Sequence, residues 1–137
     1  FTYCNPALCA MGGFHPADVL GTSVFRLVAP ADRRRVMTQY RAWLADPKVL
    51  HATSEFQVVS RSGRRFWIEQ STDFVRDADG HALDARNLIR DITERKKAEA
   101  ALRESEERFH AVFAESPNPI VLVTYPGGRI VEINRAG

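Results

Sequence analysis

The spacing of apolar positions divides the chain into three stretches. In the first, Asn5-Pro6 offers a cap and a first-turn proline for a short helix over residues 7–11, and Gly12-Gly13 stops it. His15-Pro16-Ala17-Asp18-Val19-Leu20-Gly21 repeats that design, and Ala29-Pro30-Ala31-Asp32 opens a third, longer helix. Val36, Tyr40, Trp43 and Leu44 give this helix one apolar face before Asp46-Pro47 ends it. From Thr53 the period drops from 3.6 to 2. Residues 55–60, 65–75 and 81–90 read as three strands of an antiparallel meander. Their turns are Arg61-Ser62-Gly63-Arg64 and Asp77-Ala78-Asp79-Gly80, with Gly80 where positive φ is wanted.

The third stretch starts at Asp91. Residues 91–109 contain no Gly or Pro and are rich in Ala, Leu, Glu, Lys and Arg, which predicts a helix over about residues 93–115, roughly 34 Å long. Asp91 can accept first-turn N–H groups while Glu94 reaches back, a capping box with Asp in the Ser/Thr place. Ala98, Leu102, Ser105, Phe109 and Val112 recur at steps of four and three, a short coiled-coil seam. Glu99/Arg103 and Glu104/Arg108 stand in the favourable i, i+4 order. Residues 120–125 and 129–134 then read as two strands around Pro126-Gly127-Gly128. The fold class is α+β.

Strand alternation selects a candidate pocket. Phe66, Ile68, Gln70, Thr72 and Phe74 share the more apolar, inward face of the second strand, with Trp67, Glu69, Ser71 and Asp73 outward. Phe56 and Val58 join the inward face, as do Leu83, Ala85, Asn87 and Ile89 of the third strand. Gln70 and Asn87 are the polar members of that set. A buried amide without partners costs roughly 1–3 kcal/mol, so the two either bond each other or water, or hold a ligand. The pocket candidates are Phe56, Val58, Ile68, Gln70, Asn87, Ile89 and Tyr40 from the long helix.

Composition narrows the classes. With 137 residues, 45% hydrophobic and 26% charged, the chain supports one globular core plus an appendage. Nineteen Lys and Arg stand against seventeen Asp and Glu, and the signs are interspersed, so no nucleic-acid or membrane footprint follows. Arg33-Arg34-Arg35 is the densest basic run and reads as a solvated face. No apolar run approaches the ~18 residues of a membrane span, and Phe1 begins no signal peptide; a soluble, cytoplasmic protein is expected, with no membrane insertion. Cys4 and Cys9 lack partners for a zinc site and make no disulfide framework, so they read as reduced thiols. No metal site is predicted. No Ser/His/Asp or Cys/His arrangement and no phosphate loop occurs, and His15, His51, His81 and His110 are scattered. His110 lies on the long helix, yet a phospho-accepting role is not supported. No catalytic residue is assigned.

The element order and several motifs together resemble the PAS domain family. The motifs are Tyr3-Cys4-Asn5-Pro6-Ala7, Gly13-Phe14 with Leu20-Gly21, Val28-Ala29-Pro30-Ala31-Asp32-Arg33, Asp77-Ala78-Asp79-Gly80, and above all Arg90-Asp91-Ile92-Thr93-Glu94-Arg95-Lys96. Glu106-Glu107-Arg108-Phe109-His110-Ala111-Val112-Phe113-Ala114-Glu115-Ser116-Pro117 resembles the entry helix of a second such domain, and Asn134-Arg135-Ala136 echoes Asn5-Pro6-Ala7. The resemblance implies a PAS domain over residues 1–92 lacking its first strand, a connecting helix over 93–116, and the opening hairpin of the next repeat over 117–137. That hairpin is expected to complete the first sheet, within one chain or by a swap between two.

The resemblance also implies a sensory, regulatory module of a bacterial signalling protein, a homodimer, with small-molecule binding as the alternative and a static dimerisation scaffold as a third. Asp91, Thr93 and Glu94 would carry the signal from sheet to helix. Ala98, Leu102, Ser105, Phe109, Val112 and Trp67 would form the dimer contact. The output domain would be a histidine kinase or nucleotide cyclase outside this segment. Flavin is disfavoured, since the reactive-cysteine motif of the family's light sensors is absent and Ile68 and Ile89 stand where its strand amides belong. Haem is disfavoured because residues 31–46 contain no histidine.

Overall fold

The computed structural model describes residues 4–136 and divides into two compact units, Phe1–Glu94 and Arg95–Gly137. In the first unit α1 (Pro6–Gly12) starts where the Asn5 side chain accepts the Leu8 N–H, and ends at Gly13 with φ 68°. A short α2 (Pro16–Val19), a 3-10 turn (Val24–Arg26) and the long α3 (Pro30–Ala45) follow. Three antiparallel strands, β1 (His51–Val59), β2 (Arg65–Arg76) and β3 (Ala82–Asp91), form a sheet in that order.

The expected alternation on β1 and β2 is realised. Phe56 pairs with Ile68 and Val58 with Phe66, and these four close with Val28 and Val36 into the core. Phe74 and Thr72 are buried on the same side. On β3 the expectation fails at Leu83, which is 68% exposed although it was assigned inward. Alternation sets which side a residue takes, not whether anything covers it. The register shifts at this point, with Val75 opposite Asp84 and Arg76 opposite Ala82, so Leu83 stands at a bulge with no partner on β2.

The two edges of the sheet are treated differently. Along β1, Val59 N–H donates to Leu27 O at 2.8 Å, Ala29 N–H donates to Gln57 O at 2.8 Å, the Asp32 carboxylate accepts Gln57 N–H at 2.9 Å, and Arg35 donates to Glu55 O at 3.0 Å. Residues 27–35 thus occupy an edge that would otherwise template aggregation. β3 pairs with β2 alone among the described residues.

Arg76 closes the far end. Its guanidinium donates to Trp43 O at 2.7 Å, Leu44 O at 3.2 Å, Val49 O at 3.2 Å and Gly80 O at 2.8 Å, and it lies over the Phe74 ring. One side chain therefore ties the last turn of α3, the approach to β1 and the β2–β3 turn, with its charge at a helix C-terminus.

α4 spans Thr93–Glu115, within the range the sequence predicts. Glu104 and Arg108 pair at 2.6 Å, Glu99 meets Arg95 and Lys96, and Arg103 reaches Glu107. In the second unit β4 (Val121–Val123) and β5 (Ile130–Ile133) are shorter than the pattern suggests and form a two-stranded sheet of their own. Asn134 holds their base: Oδ1 accepts Ile120 N–H at 2.8 Å, and Nδ2 donates to Asn118 O at 3.0 Å and Ser116 O at 3.3 Å. Phe113, buried, stacks on Phe109 at 5.9 Å.

Candidate functional site

Between α1 and the sheet lies an apolar cavity of about 60 Å³. α1 supplies Leu8, Cys9, Met11 and Gly12, with Cys4 just before it; Phe14, Val19 and Leu27 close the side. Val58 and Val59 of β1, Phe66 and Ile68 of β2 and Ile89 of β3 form the floor. A volume near that of two waters is far below the ~300–1,000 Å³ of drug-sized ligand sites.

Three of the seven pocket candidates, Val58, Ile68 and Ile89, line this cavity. The others do not. Phe56 is 2% exposed and belongs to the core. Tyr40 sits in an aromatic group with Phe25, Trp43 and Phe74, where burial and then Asp84 hold its phenol above the ordinary range. Gln70 and Asn87 bond each other directly and share Thr72 as a common partner. Gln70 Nε2 donates to Asn87 Oδ1 at 2.9 Å and to Thr72 Oγ1 at 3.1 Å, and Thr72 Oγ1 donates to Asn87 Oδ1 at 2.8 Å. Opposite pairs are Gln70 with Ile89 and Thr72 with Asn87, so the two amides meet on the diagonal. Within this closed triad Gln70 Nε2, Thr72 Oγ1 and Asn87 Oδ1 are partnered with one another. Asn87 itself remains exposed at the rim.

Asp91, Thr93 and Glu94, the residues expected to carry a signal, stand together at the start of α4. Asp91 Oδ1 accepts the Thr93 N–H at 2.8 Å, satisfying one of the orphan donors of the α4 start. Glu94 occupies the first turn. Ile92 is buried, and its N–H donates to Trp67 O at 2.9 Å. Trp67 N–H in turn donates to Thr93 Oγ1 at 3.0 Å. Both main-chain groups of one β2 residue therefore hold the start of α4. Its chain neighbours Phe66 and Ile68 line the cavity.

Along α4, Ala98, Leu102, Ser105, Phe109 and Val112 are all exposed, and Trp67 is half-buried. The cavity residues absent from the pocket candidates are those of α1 together with Cys4, Phe14, Val19, Leu27, Val59 and Phe66. The only sequence signal for those of α1 is the i, i+3, i+4 spacing of Leu8, Met11 and Gly12 in a helix of seven residues.

Comparison with known proteins places these features. Residues 1–97 match the family model described as PAS fold, and residues 107–137 match that described as PAS domain. A sensory box histidine kinase/response regulator from Burkholderia thailandensis superposes with a TM-score of 0.66 at 28% identity, over 80% of this chain and 81% of that one. The N-terminal domain of a diguanylate cyclase with PAS/PAC sensor from Marinobacter aquaeolei shares the fold, with a TM-score of 0.61 at 20% identity over 70% of this chain and 87% of that one. An uncharacterised protein of Sinorhizobium fredii is 30% identical over 105 residues, 77% of this chain; the chain spans 12% of that relative's length. Among the described residues, no helix is long and apolar enough to cross a membrane.

Proposed function

The chain belongs to the PAS family, and from that premise we propose that it is a sensory, regulatory module that dimerises along α4. It passes a conformational change at the cavity to an output domain of the histidine-kinase or nucleotide-cyclase kind. The observation that carries this reading is Trp67. A shift in the Phe66 and Ile68 side chains displaces the backbone between them, and that backbone holds Ile92 and Thr93 by both its N–H and its C=O. Cavity and helix start share three consecutive residues. Support for the dimer comes from the seam: Leu102, Phe109 and Val112 are 62%, 49% and 69% exposed in a single chain, surface that a second copy would bury.

The test measures dimer dissociation of the whole chain by analytical ultracentrifugation. Leu102→Glu is expected to give a monomer. Ile68→Val, one methyl removed from the cavity wall, is expected to change the dimer dissociation constant several-fold, and Thr93→Val, which removes one of the two junction bonds, to weaken that dependence. A dissociation constant indifferent to Ile68 overturns the coupling; a monomeric parent chain overturns the dimer.

The cavity favours a second reading, a receptor for a small apolar ligand. There, native mass spectrometry would find bound mass that Leu102→Glu leaves in place.

A further inference from the structure

The cavity wall carries two thiols that the signalling reading leaves unused. Cys4 Sγ and Cys9 Sγ lie 2.7 Å apart, both are free, and both face the cavity. The helix start accounts for the approach. With Asn5 as N-cap, Cys4 takes N′ and Cys9 takes N4, the two positions a hydrophobic staple brings together. Asn5 O also accepts the Cys9 N–H at 3.3 Å, which fixes the intervening turn. Two aliphatic side chains would serve equally well as a staple. Two sulfurs in that place can also be joined and parted.

Their exposures differ in a useful direction. Cys4 is partly exposed while Cys9 is 4% exposed. Burial and the adjacent Cys9 thiol push the Cys4 thiol up to about 11, which keeps it protonated and makes exchange slow at neutral pH.

We propose that Cys4 and Cys9 are a reversible dithiol–disulfide site, oxidised by low-molecular-weight disulfides and reduced by small thiols. The Cys4 thiolate attacks one sulfur of the small disulfide, whose S–S bond breaks and releases one thiolate, leaving a mixed disulfide on Cys4. The Cys9 thiolate then attacks the Cys4 sulfur and expels the second small thiolate. Two protein thiols are oxidised, one small disulfide is reduced to two thiols, and the two protons given up by the cysteines pass to the leaving thiolates. The bond ties the residue before α1 to the helix's last turn, and so fixes one wall of the cavity.

The experiment incubates the whole chain in glutathione redox buffers, quenches with acid, and reads intact mass and a peptide map. The expected product is two hydrogens lighter than the reduced chain, with a Cys4–Cys9 linkage and full reversal by excess glutathione. Cys9→Ala is expected to accumulate a glutathione adduct on Cys4; Cys4→Ser is expected to resist modification until denatured. A parent chain that stays reduced, retains glutathione, or forms disulfide-linked dimers overturns the proposal. The peptide map of the parent chain decides the matter even if a variant fails to fold.

Discussion

Arg76→Ala should be the most damaging single truncation outside the hydrophobic core. It removes four hydrogen bonds to main-chain carbonyls, two of them at 2.7 and 2.8 Å, and a cation–π contact of 5.4 Å with Phe74. A hydrogen bond from a charged donor is worth about 1.5–3 kcal/mol net, but three of the four are only part-buried and one is exposed, so water replaces much of what is lost. Counting only the two short bonds at the lower value gives about 3 kcal/mol. For a unit of this size each kcal/mol shifts Tm by roughly 4–8 °C, so a fall on the order of 10–20 °C is expected by calorimetry. Arg76→Lys keeps the charge at the α3 C-terminus but loses the planar fork, and should recover no more than about half. A fall below about 3 °C for Ala, or a Lys variant as stable as the parent, would refute the clasp.

Other positions give sharper contrasts. Gly80 has φ 87° and a Cβ there would lie 2.6 Å from Pro47 Cβ, whereas Gly63 at φ 83° faces open space; in urea unfolding, Gly63→Ala should cost about 1 kcal/mol and Gly80→Ala about twice that or more. Thr72→Val breaks the buried triad with Gln70 and Asn87 and should cost about 1–2 kcal/mol, an effect that shrinks when Gln70→Leu is already present. Burial raises the Asp32 pKa, but the Gln57 N–H and the Arg35 guanidinium outweigh it and hold the carboxyl below its ordinary value. Its stabilisation is therefore complete above the unfolded value of about 3.9 and is lost as pH falls through the folded one. Asp32→Asn should be less stable at pH 7, yet lose less on acidification than the parent chain.

What the sequence makes legible follows from which physical effect leaves a pattern. The β2 run Phe66-Trp67-Ile68-Glu69-Gln70 alternates because one face is dry and the other wet, and its inward face and its hairpin partner β1 follow. The Asp91-Ile92-Thr93 exit is readable because capping chemistry is local in sequence. The cavity is not readable in the same way. Leu8, Cys9, Met11 and Gly12 of its wall come from α1, a helix too short to display a period, and Phe14, Val19 and Leu27 come from the irregular segments that follow. The Gln70–Asn87 contact could be framed only as one of three alternatives, since the diagonal offset and the intervening Thr72 hydroxyl depend on register. The Arg76 clasp leaves no trace at all: its acceptors are carbonyl oxygens, which every residue possesses. Leu83 leaves the inward row because the register shift between Val75 and Arg76 falls opposite it, and a bulge leaves no mark in the alternation of one strand.

The junction at Trp67 also limits the size of any signal it carries. Its two hydrogen bonds, at 2.9 and 3.0 Å, are each worth about 1 kcal/mol net. A change at the cavity that broke both would bias the start of α4 by about 2 kcal/mol, roughly a 30-fold shift in equilibrium. Inverting a two-state population from 1:99 to 99:1 needs about 5.5 kcal/mol. On the proposed reading, one chain alone would therefore be a modulator. Two chains joined along the α4 seam would add their biases to one shared helix pair, about 4 kcal/mol or a thousandfold shift, which approaches the range of a switch. On this argument dimerisation belongs to the mechanism of signalling and not only to assembly. Thr93→Val removes one of the two bonds in its chain, so dimers mixing one parent chain with one Thr93→Val chain should then lose about a quarter of the coupling in free energy, while retaining the dimer itself.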